Sequence, residues 1–425
     1  MGPTLIFDKS ALQGLSVDES MWLENFFITN ITPLFFVETL ADLEKEVRAG
    51  RTPEDVVGNI ALKTPDMSCS NAHHKSLITG ELIYGETVEM SGRPIISGGQ
   101  TLELEGKTGV MFQESPEMEA SHRWERREFL QIERGAAREW RRELAAMEDT
   151  DYSQIAGSFG PLGKPTTFEE LKERVDIIIN AMNTKEFFDH EMALIGLLPT
   201  ARERVIKRWQ EAGAKPIKEF APYFSYVVSI ELFLILGKAA KLFEAFPHPQ
   251  THRVDMAYLY YLPFCHIFTS SDRIHIRLAP IFMRPDQTFV PGSDLKDDFA
   301  KLDAYYDALP DEVKERGSMV FACCPPDDTS FLAARLWDKY MAKTWRNLKN
   351  TARKFDGTDK IDPEIEKAIM EHIQKFAKEA KPVHPSRVPN SDQANDMILR
   401  HMVSARKGKW KKFPPEVLRS KPILE

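Results

Sequence analysis

Two segments constrain this chain more than any others: TLIF running into Asp8, and CHIFTSS running into Asp272. A short, nearly continuous apolar run without alternation describes a strand covered on both faces, as in a parallel sheet packed between helices. Around the first run, residues 4–46 read as strand, helix, strand, helix: 4–7 extended, a helix from 10, a second strand at 30–33, then a helix over 34–47. Short links between alternating elements predict an α/β domain with a parallel central sheet.

The texture then changes. Residues 50–120 are rich in Gly, Ser, Thr and Pro and predict loops with a few short antiparallel strands. Residues 122–148 predict one long helix with Arg and Glu evenly mixed, and 167–212 predict two or three more helices. From 216 the α/β pattern returns. A long apolar helix spans 221–246, a short helix opens at Asp255, and a strand over CHIFTSS leads to Asp272 as the N-cap of RIHIRLAPIF. A last strand is expected at 318–326, and 331–425 is expected to be helical with a basic end.

The length of 425 residues suits two or three domains, and a net charge of −8 excludes a protein coated with nucleic acid over its whole surface. Four cysteines, with Cys323 and Cys324 adjacent, give no disulfide framework. The N-terminus enters a strand directly, so no leader is expected, and the chain is placed in the cytoplasm. The apolar run 223–236 carries Glu231 and is read as a core helix, with no membrane partner.

Four acids stand out by position: Asp8 after the first strand, Glu38 within FFVETLADL, Asp255 in HRVDMAYLYY, and Asp272. Taken singly, Asp272 and Asp255 are explained as helix caps. Glu38 in an apolar stretch and Asp8 at the end of a buried strand are harder to explain structurally. Gathered at one sheet edge, such carboxylates repel one another unless a divalent cation joins them. Mg²⁺ or Mn²⁺ with hard oxygen ligands is the cofactor this donor set calls for.

In order and context these segments resemble the PIN-like nuclease family. The matching elements are Asp8 with Ser10, Glu38, Asp255 with Ala257, and Ser270 followed by Asp272. The resemblance implies a three-layer α/β/α fold formed by residues 1–50 and 215–330, interrupted by a mostly helical insertion over 51–214. A helical C-terminal extension, 331–425, follows. It further implies that Asp8, Glu38, Asp255 and Asp272 bind metal and carry catalysis, that Ser10 and Ser270 support them, and that Lys9 or Arg273 contacts phosphate. The implied activity is two-metal endonucleolytic hydrolysis of RNA, single-stranded, leaving 5′-phosphate and 3′-hydroxyl ends. Lys9 stands where the family usually has a smaller residue.

The alternatives are a non-catalytic PIN-like binding or scaffold protein and a structure-specific DNA nuclease. The helical insertion offers a surface for a protein partner or self-association. Cys69, His73 and His74 lack a fourth zinc ligand at suitable spacing, EGKTG lacks the first glycine of a phosphate loop, and His190-Glu191 lacks a second histidine. Asp294, Asp297 and Asp298 are expected to decorate a helix start. The run 400–421 holds eight basic residues against Glu416, with Trp410 and Phe413 interleaved. It reads either as a nucleic-acid grip or as a solvated tail.

Overall fold

The computed structural model describes residues 2–43, 50–66, 68–96, 99–104, 107–111, 115–135, 138–139, 152, 157, 165–181, 183–249, 251–347, 379, 381–382 and 404–413. Its centre is a five-stranded, all-parallel sheet. The strands in chain order are β1 (Thr4–Phe7), β2 (Ile28–Ile31) and β3 (Ser68–Ser70), then, after a separate antiparallel hairpin of β4 (Gln100–Leu104) and β5 (Lys107–Met111), β6 (Ile267–Ser270) and β7 (Thr288–Pro291). The spatial order is β3-β2-β1-β6-β7. Leu5 pairs in register with Thr29 on one side and with Ile267 on the other.

Every residue of β1, β2 and β6 is buried, including the polar Thr29 and Asn30 of β2 and Thr269 and Ser270 of β6. Successive side chains leave the sheet on opposite faces and enter two different cores. Ile6 and Phe268 join a cluster with Val228, Phe233 and Leu278, whereas Leu5, Phe7 and Ile267 join one with Trp22, Phe299 and Trp337. Helices therefore cover both faces, an arrangement compatible with a three-layer α/β/α sandwich. The helices Phe168–Ala181 and Pro199–Glu211 contribute Leu171, Val175 and Trp209 to the first cluster, so they share its core with the long helix Pro222–Ala239. That long helix is apolar enough to cross a bilayer by length and composition alone, yet most of it is buried in this core.

Several expectations differ from the structure in instructive ways. β3 lies inside the segment read as insertion. It is three small or polar residues, Ser-Cys-Ser, that carry no strand pattern and are extended because β2 offers an open parallel edge. β7 was not foreseen either. It contains Pro291, whose missing N–H suits an edge strand. Within 50–120, where loops and short strands were expected, Gly80–Tyr84 is a π-helical turn. The long charged helix stops at Glu125, where Arg127 takes a positive φ and pairs with Asp55; a helical turn resumes at 131–135, and 140–148 lie outside the described residues. The expected last strand at 318–326 is a single helical turn, Ser318–Phe321.

The sheet order has a consequence for function. From β1 the chain steps outward through β2 to β3, then returns to the opposite side of β1 for β6 and β7. The order therefore reverses between β1 and β6. In open α/β sheets the crevice beyond the carboxyl ends of strands at such a reversal is where ligands bind. Asp8 follows β1 there, and Ser270 closes β6.

Candidate acidic site at the strand reversal

Asp8 is 3 % exposed, and its carboxylate is saturated by the protein. It caps the helix Lys9–Gly14 by accepting the Ala11 N–H at 2.9 Å. Ser10 Oγ reaches both its oxygens at 2.8 Å, and Ser270 Oγ donates to Oδ2 at 2.6 Å. The His275 imidazole adds Nδ1 at 3.2 Å from Oδ2. Burial pushes the Asp8 pKa up, but hydrogen bonds and charge from His275, with Ser270 and Ala11, outweigh it and hold the group below the usual carboxylate range.

Counting hydrogens fixes the state of His275. Its Nε2 lies 2.7 Å from the Asp255 carbonyl oxygen, which can only accept, so Nε2 carries a hydrogen. Ser270 Oγ has one hydrogen and spends it on Asp8, while accepting the Asp272 N–H at 2.9 Å. Nδ1 lies 2.8 Å from that same Ser270 oxygen, so it too must donate. With Ser270 donating to Asp8, both ring nitrogens donate, which is the protonated form. Despite burial, which lowers it, the bond and charge of Asp8 lift its pKa to about 9.

The other acids converge on the same place. Glu38, on the helix Pro33–Ala41 that leaves β2, accepts the Tyr258 hydroxyl at 2.8 Å and faces Lys9 Nζ at 3.9 Å. Its side chain keeps 26 % exposure; desolvation, against the pull of Lys9 and with repulsion from Asp8, pushes its pKa up to about 7. Asp255 sits in the first turn of the helix His252–Tyr258 and is 9 % exposed. Burial pushes it up to about 8, opposed by His275 and reinforced by the charges of Asp272 and Glu38. Asp272 caps the helix Arg273–Phe282 through Ile274 N–H at 2.7 Å. Residues from four separate stretches of chain thus feel one another's charge at one sheet edge.

Ser10 and Ser270 both hydrogen-bond the Asp8 carboxylate. Ser10 Oγ also accepts the Ser271 N–H at 3.0 Å, tying the β1 and β6 ends together. Of the two proposed phosphate contacts, Arg273 is exposed, while Lys9 is buried and engaged with Asp42 as well as Glu38. Tyr258 and His275 were missed by sequence. Tyr258 is fully buried, its hydroxyl held protonated by burial and by the charges of Glu38 and Asp8. The only signal for His275 was a polar ring inside the apolar stripe of Ile274, Leu278 and Phe282.

The donor chemistry suits Mg²⁺ or Mn²⁺: hard oxygens, two of them held near neutral pKa because little cationic charge offsets their burial. The placement suits it less. Among the described residues no three His, Cys, Asp or Glu side chains are grouped to hold one ion, and the Asp8 carboxylate is already filled. Cys69, His73 and His74 make no centre either; Cys69 is buried and points to the Thr29 carbonyl, and the His74 imidazole meets the Tyr261 hydroxyl.

The basic C-terminal run departs from both expectations in its described part, 404–413. It folds back as a short hairpin, Arg406–Lys407 with Trp410–Lys411. Trp410 is 3 % exposed against Trp22, with ring centroids 5.0 Å apart. Lys407 and Lys412 are buried in ion pairs with Glu24, and Lys409 binds Asp303. These cations are neutralised by the protein itself. Residues 400–403 and 414–421 lie outside the described residues. No protein-family model, curated protein or solved structure matches the chain.

Proposed function

We propose that this protein is a PIN-like, metal-dependent phosphodiester hydrolase, a cytoplasmic endoribonuclease acting on single-stranded RNA with Mg²⁺ or Mn²⁺. The observation that carries the reading is the meeting of Asp8, Glu38, Asp255 and Asp272 at the carboxyl edge of the sheet, where the strand order reverses. Asp8 stays ionised and fixed in orientation by Ser10, Ser270 and the Ala11 N–H. Burial and mutual repulsion raise Glu38 and Asp255 toward neutral pKa in the metal-free protein, and a bound divalent ion would displace those protons. Arg273, exposed beside Asp272, meets a flanking phosphate. A divalent ion, when bound, supplies charge neutralisation and an acidified water.

A second reading, a binding protein that keeps the fold without catalysis, is favoured by one fact: all the acceptors of Asp8 are satisfied internally. The test is cleavage of labelled single-stranded RNA and DNA with Mn²⁺, alongside melting with and without the ion. Metal-dependent RNA cleavage is expected, reduced in Asp8→Asn and Asp272→Asn by more than the roughly 10–100-fold typical of losing a supporting residue. Wild type and both variants behaving alike, in cleavage and in melting, would eliminate the enzyme.

A further inference from the structure

We propose that His275 is a positioning residue that straps Asp8 to the main chain of Asp255, holding acids from the two ends of the domain at a fixed separation. Its Nδ1 faces Asp8 Oδ2 at 3.2 Å and its Nε2 donates to the Asp255 carbonyl at 2.7 Å. Asp8 and Asp255 are far apart in the chain, and His275 links one to the other directly. The ring has no freedom to turn away. It is 1 % exposed and lies edge-on to Tyr258 and Phe268, with centroids 5.5 and 5.1 Å away.

A merely structural residue here would be apolar. His275 belongs to the buried stripe of its helix, between Ile274 and Leu278, where an aliphatic side chain would pack without the cost of burying a polar ring. Both nitrogens instead meet partners within the acidic cluster, and Ser270 Oγ joins at 2.8 Å. Residues that fix carboxylates from behind usually matter about 10–100-fold to metal affinity without touching the ion. His275 stands in that relation to Asp8 and, through the backbone, to Asp255. This role rests on the metal-dependent reading for its consequence, though not for its geometry.

Two experiments separate the geometry from its consequence. In wild-type protein with ¹⁵N-labelled histidine, a ring Nε2–H of His275 protected from solvent exchange is expected; a freely exchanging ring would overturn the strap whether or not metal binds. In Mn²⁺ titration calorimetry, His275→Asn keeps an amide facing Asp8, and His275→Gln keeps one facing the Asp255 carbonyl. Each half-replacement is expected to weaken Mn²⁺ about 10–100-fold relative to wild type, with folding followed by melting. Wild-type affinity in a folded half-replacement would overturn the role. A protected ring in a wild type that binds no Mn²⁺ would keep the strap and remove the metal reading instead.

Discussion

Buried carboxyls elsewhere in the molecule show what it costs to leave one without partners. Glu81 is 3 % exposed, but its oxygens accept the N–H groups of Tyr223 and Phe224 at 3.0 and 2.7 Å, closing the N-terminus of the long helix Pro222–Ala239. Glu191, 1 % exposed on the helix Lys185–Leu194, has an oxygen with no hydrogen-bond partner, and burial alone pushes its pKa up to about 8. Because its folded pKa lies above the unfolded value, the folded state binds the extra proton. Its contribution is therefore most favourable below about pH 4 and is lost as pH rises through 8. Glu191→Gln removes that titration. It is expected to match wild type near pH 5 and to be more stable by about 1–2 kcal/mol near pH 8.5, read by urea unfolding at both values. A gap that does not widen with pH would mean the carboxyl finds solvent. Neither the partnerless burial of the Glu191 carboxyl nor the double anchoring of His275 was legible in the sequence, since helical periodicity records where a residue points and not what it meets there.

Helices and strands were legible in proportion to how much of their cause is local. The strand before Asp8 and the cap at Asp272 follow from neighbouring residues and were found; β3 and β7 depend on an edge supplied from far along the chain and were not. Asp298 shows the same limit. Its position suggested an acid decorating a helix start, yet it is 3 % exposed on the helix Gly292–Asp307 and accepts Leu332 and Ala333 N–H at 2.6 and 2.9 Å. It is the cap of a different helix, Leu332–Tyr340, whose own preceding residue, Phe331, has no side chain able to cap. Replacing it leaves two main-chain donors without their acceptor. Asp298→Ala is expected to cost about 2 kcal/mol, and Asp298→Asn, which keeps one acceptor, about half as much. Chemical denaturation of both variants orders them, and equal losses would place the stabilisation in charge instead of capping.

Across the whole chain, the C-terminal hairpin is the contact that composition most misrepresents. Eight basic residues in a short run suggest a polyanion as partner, but among those described Lys407, Lys409, Lys411 and Lys412 pair with this protein's own acids, Lys407 and Lys412 with acids hundreds of residues earlier. Lys412 Nζ lies 2.6 Å from both Glu24 and Asp66, and Lys407 adds a bond to the Thr64 carbonyl at 2.7 Å. Glu24 lies in the last turn of the helix Val17–Phe26, just before β2, and Asp66 stands just before β3, so the clasp grips the amino edge of the sheet, opposite the acidic site. The turn requires Gly408: φ is +55°, and a Cβ would fall 1.9 Å from Asp18. Two buried cations against two buried acids gain little net stability, but removing one cation strands the acids it neutralised. Lys412→Met should therefore cost about 3–5 kcal/mol, far more than a surface lysine. Lys412→Met combined with Glu24→Gln should recover part of that loss, because fewer charges are left unpaired. If the clasp is remote from function, the proposed RNA cleavage, per folded molecule, stays at the wild-type level in both variants, measured below their melting temperatures. A specific loss of cleavage with stability intact would instead return the basic hairpin to the substrate.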